Sequence, residues 1–395
     1  MKQTGFAYIV DGNSLHTLDR FSEIPVSQAA KAVNSFRQER SSGKDSAKLS
    51  IFPYGPSSGG MVESAYFDIL TEGEKIEDIR YDTDFKNRTM KFTGLSMEEA
   101  LLRMERMNGV HAASYSSLFC QICEKAMDME ITDDIKNLRV AMMEAERISS
   151  HLFVVSRLTG GASQNIAHMN TLLLRENLLR AIATAFGHRY FFGVNRIGGI
   201  GRPVNVKELG EQVMRISEEY GEIYHTLMDS RVFMDRLDRS AIIKGEKSSG
   251  PVMRGSSIKR DGRSSHRYYE GLQFNVPTSN GGDALARFIV RSEEIAESAS
   301  LIEQAISGIG DINSGSPEVH EVEGNIWGGF METPSGDASL ILKIKSGHLE
   351  GIGFRSPSVL NMEAFAESIH GNTFADFLFG YESLGIWISE MGDFQ

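Results

Sequence analysis

Cys120 and Cys123, the only two thiols in the chain, stand in a C-x-x-C spacing within ERMNGVHAASYSSLFCQICEK, residues 105–125. Paired thiolates at that spacing commonly supply half of a tetrahedral zinc site, which needs about four ligands in all. No second pair exists to complete one. Leu118, Phe119 and Ile122 surround the thiols in what reads as a packed helix, so buried structural cysteines are the better reading. A second group is Glu144, Arg147 and His151 in LRVAMMEAERISSHL, which spacing places together on one helix face. Glu144 and Arg147, three apart, suit an intrahelical ion pair.

These residues need elements to hold them. TDDIKNLRVAMMEAERISSHLFVVSRL is the clearest helix: Thr132 can cap it, and Asp133 and Asp134 suit its positive end. Ile135, Leu138, Met142, Ala145, Ile148, Leu152 and Val155 advance by three or four and form one apolar stripe. SMEEALLRMERM opens with a capping box, and further helices are expected at about 168–186, 207–238 and 282–307, the last capped by Asp283. AYFDILTEGEKIEDIRYD and SLILKIKSGHLEGIGF alternate apolar and polar residues around Glu-Gly and Ser-Gly, as hairpins do. FFGVNRIGGIGRPVN reads as a glycine-rich turn and GPVMRGSSIKRDGR as a basic loop. The pattern is an α+β fold, mainly an α-helical bundle flanked by small antiparallel sheets. Residues 1–50 form an N-terminal extension that ends in the polar linker RQERSSGKDSAK, and residues 51–395 form the principal domain.

Composition narrows the functions. Of 395 residues, 24% are charged and the formal net charge is −12, which argues against nucleic acid or an anionic membrane surface as a partner. No stretch approaches the roughly 18 apolar residues of a membrane span. The apolar run near the start is too short for a secretory signal, and two cysteines do not suggest an oxidising compartment. GGIGRP lacks the G-x-G-x-x-G order and the strand–helix setting of a dinucleotide site, so the chain itself should not bind nicotinamide. The eighteen methionines read as core filler.

Several long motifs in order carry a family resemblance. LRVAMMEAERISSHL, NRIGGIGRPV, GPVMRGSSIKRDGR with LQFNVPTSNGGDALARFIVRSEEI, then ETPSGD and FRSPSVLN together resemble the 49-kDa subunit of respiratory complex I. They also resemble its sister, the large subunit of membrane-bound nickel–iron hydrogenases. The match runs from about Gly55 to the C-terminus. It implies a hydrogenase-large-subunit-like fold and a peripheral position on the cytoplasmic side of a membrane. The implied partners are an iron–sulfur small subunit similar to that of complex I, ferredoxin-like subunits and membrane-arm subunits. The implied function is a peripheral-arm subunit of an oxidoreductase that couples electron transfer to ion translocation. A catalytically silent scaffold joining the same partners is the alternative. No cofactor is expected on this chain. The partner would hold the iron–sulfur cluster, and quinone or another acceptor would enter the crevice between the two subunits.

The resemblance also transfers, residue by residue, what has been lost. The first thiolate pair of the hydrogenases falls on Asn108 and His111, and the second on Trp387 and Glu390. Four soft bridging thiolates are thereby replaced, and no metal is expected. Where the complex I branch places a quinone-facing histidine and tyrosine, this chain has Ser58 and Gly109. A serine hydroxyl donates a hydrogen bond but is no proton source near neutral pH. Glu63 falls on the proton-transfer glutamate of the hydrogenase branch, although an exposed strand-edge carboxylate explains it equally well. Glu144, Arg147 and His151 match the face that approaches the partner's cluster, where a cation or imidazole stabilises the reduced state. Lys86 or Arg88 loosely matches a loop near the same cluster. His111 would project into the old crevice beside Asn108 and Ser58, either to serve an acceptor or water chain or simply to fill an emptied pocket.

Overall fold

The computed structural model of the chain describes residues 7–11, 14–18, 49–57, 61–86, 88–309 and 326–392. The linker at 37–48 and Ser58 lie outside them. Strands β1 (Ala7–Asp11) and β2 (Ser14–Leu18) pair as a hairpin within the N-terminal extension. β3 (Ser50–Tyr54), β4 (Tyr66–Glu72) and β5 (Lys75–Asp82) form an antiparallel sheet with β4 central. The alternation in β4 turns Phe67 and Ile69 inward, as the sequence pattern requires.

Helix α1 (Met97–Met104) opens on the expected capping box between Ser96 and Glu99. Then follow α2 (Ala112–Ala126), α3 (Asp133–Gly161) and α4 (Asn165–Phe186). The Thr132 hydroxyl accepts from Ile135 N–H at the start of α3. The glycine-rich turn is a two-residue hairpin of β6 (Asn195–Arg196) and β7 (Gly199–Ile200). The helix expected over 207–238 is divided into α5 (Leu209–Met228) and α6 (Arg231–Leu237). Asp229 and Ser230 sit at the break, residues whose side chains compete with the helical backbone pattern. A four-residue turn of helix, α7 (Pro251–Arg254), interrupts the basic loop, and Asp283 caps α8 (Ala284–Ile306).

The last part is β8 (Ile326–Thr333), β9 (Gly336–Lys345) and β10 (His348–Arg355), with β9 central, then α9 (Pro357–Ser368) and α10 (Phe377–Leu384). Ser346 and Gly347 both have positive φ, which suits the twist of a two-residue hairpin turn. The fold is therefore α+β, with helices between small antiparallel sheets.

α3 lies along both α4 and α8 at the centre of the bundle. From Leu138 to Thr159 every residue of α3 except Phe153 and Arg157 is buried, so its apolar stripe widens into an all-round core helix. A helix enclosed in this way cannot leave polar side chains in water. Each buried charge on it must find a partner from elsewhere in the chain.

Candidate functional site

The loop between α1 and α2 delivers Asn108, Gly109 and His111, and His111 occupies the N-cap position of α2. From the other end of the chain, Gly385 turns the backbone after α10 in the left-handed region (φ 65°). A Cβ at that glycine would stand 2.7 Å from the Arg291 guanidinium. The turn brings in Trp387 and Glu390.

Glu390 gathers this cluster. Its Oε2 accepts from Asn108 Nδ2 at 2.9 Å and from Tyr115 OH at 2.6 Å, and lies 2.9 Å from His111 Nδ1. Its Oε1 accepts from Ser358 Oγ at 2.5 Å. All five side chains are buried. A carboxylate so close to Nδ1 assigns the imidazole proton to that nitrogen. Burial pushes the Glu390 carboxyl up, but the His111, Ser358 and Tyr115 donors outweigh it and hold the group below its ordinary range. Burial, then the neighbouring Glu390, raises the Tyr115 phenol. Trp387 closes the cluster: it meets the His111 ring edge-on at 6.3 Å and stacks on Phe153 at 5.8 Å.

Two further carboxyls border the pair. Glu146 of α3 accepts from the N–H groups of Ala113 and Ser114 at 2.6 and 3.1 Å and from Ser114 Oγ at 2.5 Å. It thereby satisfies donors that the start of α2 leaves open. Burial pushes it up to about 7, against the pull of His111 and of the Ser114 and Ala113 donors. Glu63 is half-buried and accepts the Ser389 N–H at 2.8 Å, one residue from Glu390.

The four positions that the resemblance assigns to metal thiolates thus meet in space although about 280 residues of chain separate the two pairs. An amide, an imidazole, an indole and a carboxylate make no soft donor set, and the carboxylate is occupied by donors from this chain. These residues do not fit a nickel–iron centre.

The second network surrounds α3. Glu144 accepts from Tyr269 OH at 2.5 Å, Ser298 Oγ at 2.6 Å and Arg263 Nη1 at 2.9 Å, and the expected ion pair with Arg147 is present at 3.2 Å. Arg147 also donates to the carbonyls of Glu332 and Thr333. His151 Nε2 lies 2.8 Å from Glu294 Oε2, and its Nδ1 lies 3.1 Å from Arg291 Nη1. Arg254 joins Glu294, Glu332 and Asp261, and Arg263 joins Asp261 to Glu144. The trio Glu144, Arg147 and His151 is wholly buried within this chain. The basic loop is only partly at the surface. Lys259 and Arg260 are exposed, but Arg254 and Arg263 are interior because they neutralise buried carboxylates.

One turn joins the two networks, the β8–β9 connection within ETPSGD. The Thr333 carbonyl accepts from Arg147 and the Pro334 carbonyl from Arg291, while Ser335 Oγ lies 3.4 Å from His111 Nε2. Gly336 (φ 129°) packs on Ser249 and Gly250 so tightly that no Cβ fits.

The remaining residues lie apart. Lys86 and Arg88 are exposed; Arg88 donates to the Arg106 carbonyl, and neither bonds to either network among the described residues. Gly109 faces Phe192. Cys120 and Cys123 are free and buried within α2, and burial pushes both thiols up, away from the thiolate form. Among the described residues no group of three or more His, Cys, Asp or Glu side chains is arranged to hold a metal. No helix among them is long and apolar enough to cross a membrane.

Sequence reasoning did not find Tyr115, Ser358, Glu146 or Glu294. Only Tyr115 carries a local signal, since it lies one helical turn after His111 and faces the same side.

Residues 163–326 match the family described as respiratory-chain NADH dehydrogenase, 49 Kd subunit. The D subunit of NADH-quinone oxidoreductase from Protochlamydia amoebophila is 30% identical over 214 residues, 52% of this chain and 53% of that protein. The D 1 subunit of the same enzyme from Chloroherpeton thalassium is 25% identical over 369 residues, 83% of each chain. Formate hydrogenlyase subunit 5 of Escherichia coli is 25% identical over 308 residues, 73% of this chain and 53% of that protein. The chain spans about half the length of the first and last of these relatives. Both branches of the resemblance are represented: the chain is similar to the D subunit of NADH-quinone oxidoreductase and to a formate hydrogenlyase subunit, with the 49 Kd subunit family model matching its central part.

Proposed function

We propose that this chain is the peripheral-arm subunit of a membrane-associated, complex I-like oxidoreductase, docked on an iron–sulfur small subunit at the cytoplasmic face. Ferredoxin-like and membrane-arm subunits complete the assembly. In this reading the former metal crevice holds an exchangeable proton pair, His111 and Glu390. The pair responds to the charge of the partner's cluster and passes that response towards ion-translocating subunits. The supporting observation is the meeting of Asn108, His111, Trp387 and Glu390 in one buried cluster of proton-holding groups. Glu146 alongside it, pushed up to about 7 by burial, supplies a carboxyl that exchanges its proton near neutral pH. Quinone or another small acceptor would approach from the side of Glu63. Glu144, Arg147 and His151 act on the cluster through the field of their buried network, because their side chains have no surface of their own.

One observation favours the second reading, a silent scaffold. Trp387 lies over His111 and is itself stacked on Phe153, so the cluster is closed. A single experiment separates the two. The complex is purified from its native membranes, its companions are identified, nickel and iron are measured, and acceptor reduction is assayed in wild type and His111→Ala. Iron without stoichiometric nickel, with activity reduced about tenfold or more in the variant, is the expected result. Full activity in His111→Ala removes the pair from the mechanism and leaves the scaffold. Nickel bound by this chain, or the absence of any iron–sulfur companion, overturns both.

A further inference from the structure

Beside the polar residues that a surface helix ordinarily turns outward, here Asn170, Asn177 and Arg180, α4 also exposes large apolar ones. Ile166 is 81% exposed, Met169 63% and Leu173 57%, and the spacing of three and four sets them in one stripe along two turns. The inward side of the same helix is already filled by Leu174, Leu178 and Ile182, so the outer stripe is surplus to the core. Beside it runs a groove of about 840 Å³, walled on the α5 side by Ile223 and Leu227. The rim on that side is acidic: Glu219 and Glu222 are exposed and, among the described residues, make no ion pair. Contiguous exposed apolar surface with a polar rim marks an interaction site rather than a random exposure.

We infer that the α4–α5 groove receives an amphipathic helix from another subunit of the complex, with an apolar stripe seated on Ile166 and Leu173 and Lys or Arg side chains paired with Glu219 and Glu222. The apolar walls require an apolar filling, and the unpaired carboxylates require cations along its edge. The stripe spans about 10 Å along α4, which matches roughly two turns of a bound helix. A second copy of this chain is a poorer occupant. It would bring another acidic rim to the same face, on a molecule of net charge −12. An anionic lipid surface meets the same repulsion. The inference does not depend on the chemistry of the His111–Glu390 cluster.

The test uses the full chain within the membrane complex, with a benzophenone amino acid at Leu173, which lines the groove. Irradiation followed by peptide mass spectrometry should yield one principal adduct, to a segment of another subunit with apolar residues three or four apart and flanking Lys or Arg. Its yield should fall about tenfold in the Glu219→Lys, Glu222→Lys double variant and remain largely intact in Glu218→Lys, which lies off the groove wall. The positions are exposed, so thermal melting of each variant should match wild type and separate lost docking from lost folding. Adducts only to this chain, to a second copy or to lipid overturn the inference. So does the lack of any adduct, or a yield indifferent to charge reversal.

Discussion

Two buried polar clusters lie on either side of the turn at residues 333–336, and they differ in their cations. Around α3 the carboxylates face guanidinium groups: Arg263 and Arg147 at Glu144, Arg254 at Glu294, Arg263 and Arg254 at Asp261. Burial pushes Glu144 and Glu294 up, but those arginines outweigh it and hold both below the ordinary carboxylate range. His151, enclosed among them, is driven down to about 3, chiefly by burial, against the pull of Glu294, with Arg291 and Arg147 adding to the effect. Its imidazole is neutral. Across the turn, no guanidinium bonds to Glu390 or Glu146 among the described residues; an imidazole, an amide and hydroxyls face Glu390 instead, and hydroxyl and backbone N–H groups face Glu146. Guanidinium does not lose its proton in the accessible pH range, whereas the Glu146 carboxyl, raised to about 7, does so near neutrality. The contrast teaches that one core can carry a fixed charge lattice and an exchangeable carboxyl side by side, the presence or absence of a guanidinium partner deciding which.

The largest effect should come from breaking the fixed lattice. Arg263→Met leaves Glu144 and Asp261 buried without their shared cation, and the chain should lose about 3–5 kcal/mol, seen as a fall in denaturant midpoint at unchanged m value. Glu390→Gln should cost less, about 1–3 kcal/mol, because the amide retains one acceptor and the shape while some donors lose their partner. Equal losses in the two variants would erase the distinction, since the second cluster would then behave as a lattice too.

How much of this was legible in the sequence depends on range. Thr132, Ser96 and Asp283 announced their helices because a cap is read by residues three positions on, and each cap is formed. The hairpins at Gly73 and at Ser346–Gly347 were visible for the same reason. β8 and α10 were not, since short apolar runs carry no decisive period. GPVMRGSSIKRDGR read only as a basic loop, and the burial of Arg254 and Arg263 was not legible because their carboxylate partners lie up to 119 residues away. Asn108, His111, Trp387 and Glu390 were linked by family resemblance alone, and nothing local could have added Ser358 to them.

Glu146 provides a pH test of the exchangeable side. Its carboxyl is raised from 4.5 to about 7 in the folded chain, so the native state holds a proton that the unfolded state releases earlier. The associated stability is fully present below pH 4.5 and is lost as pH rises through about 7. Glu146→Gln cannot release that proton. Measured against wild type by denaturant titration at several pH values, it should gain steadily between those limits, by roughly 3 kcal/mol at the top. A flat difference would mean that Glu146 is ionised throughout.

The smallest effect should be His151→Gln, and its sign is opposite. The His151 imidazole falls from 6.5 to about 3 on folding, so the unfolded chain takes up a proton that the native chain refuses. The stabilisation is complete above pH 6.5 and is lost as pH falls towards 3. Glutamine can still bridge Glu294 and Arg291 without titrating. The variant should lose about 1 kcal/mol at pH 7 through poorer hydrogen-bond geometry, then close that gap and overtake wild type as the solution is acidified below about pH 6. On acidification from neutrality the Glu146→Gln advantage should therefore shrink while the stability of His151→Gln relative to wild type grows. If His151→Gln instead tracked wild type in parallel down to pH 4, the imidazole would be charged in the native chain. The arginine-rich network would then be exchanging protons, and the line between the two clusters would have to be redrawn.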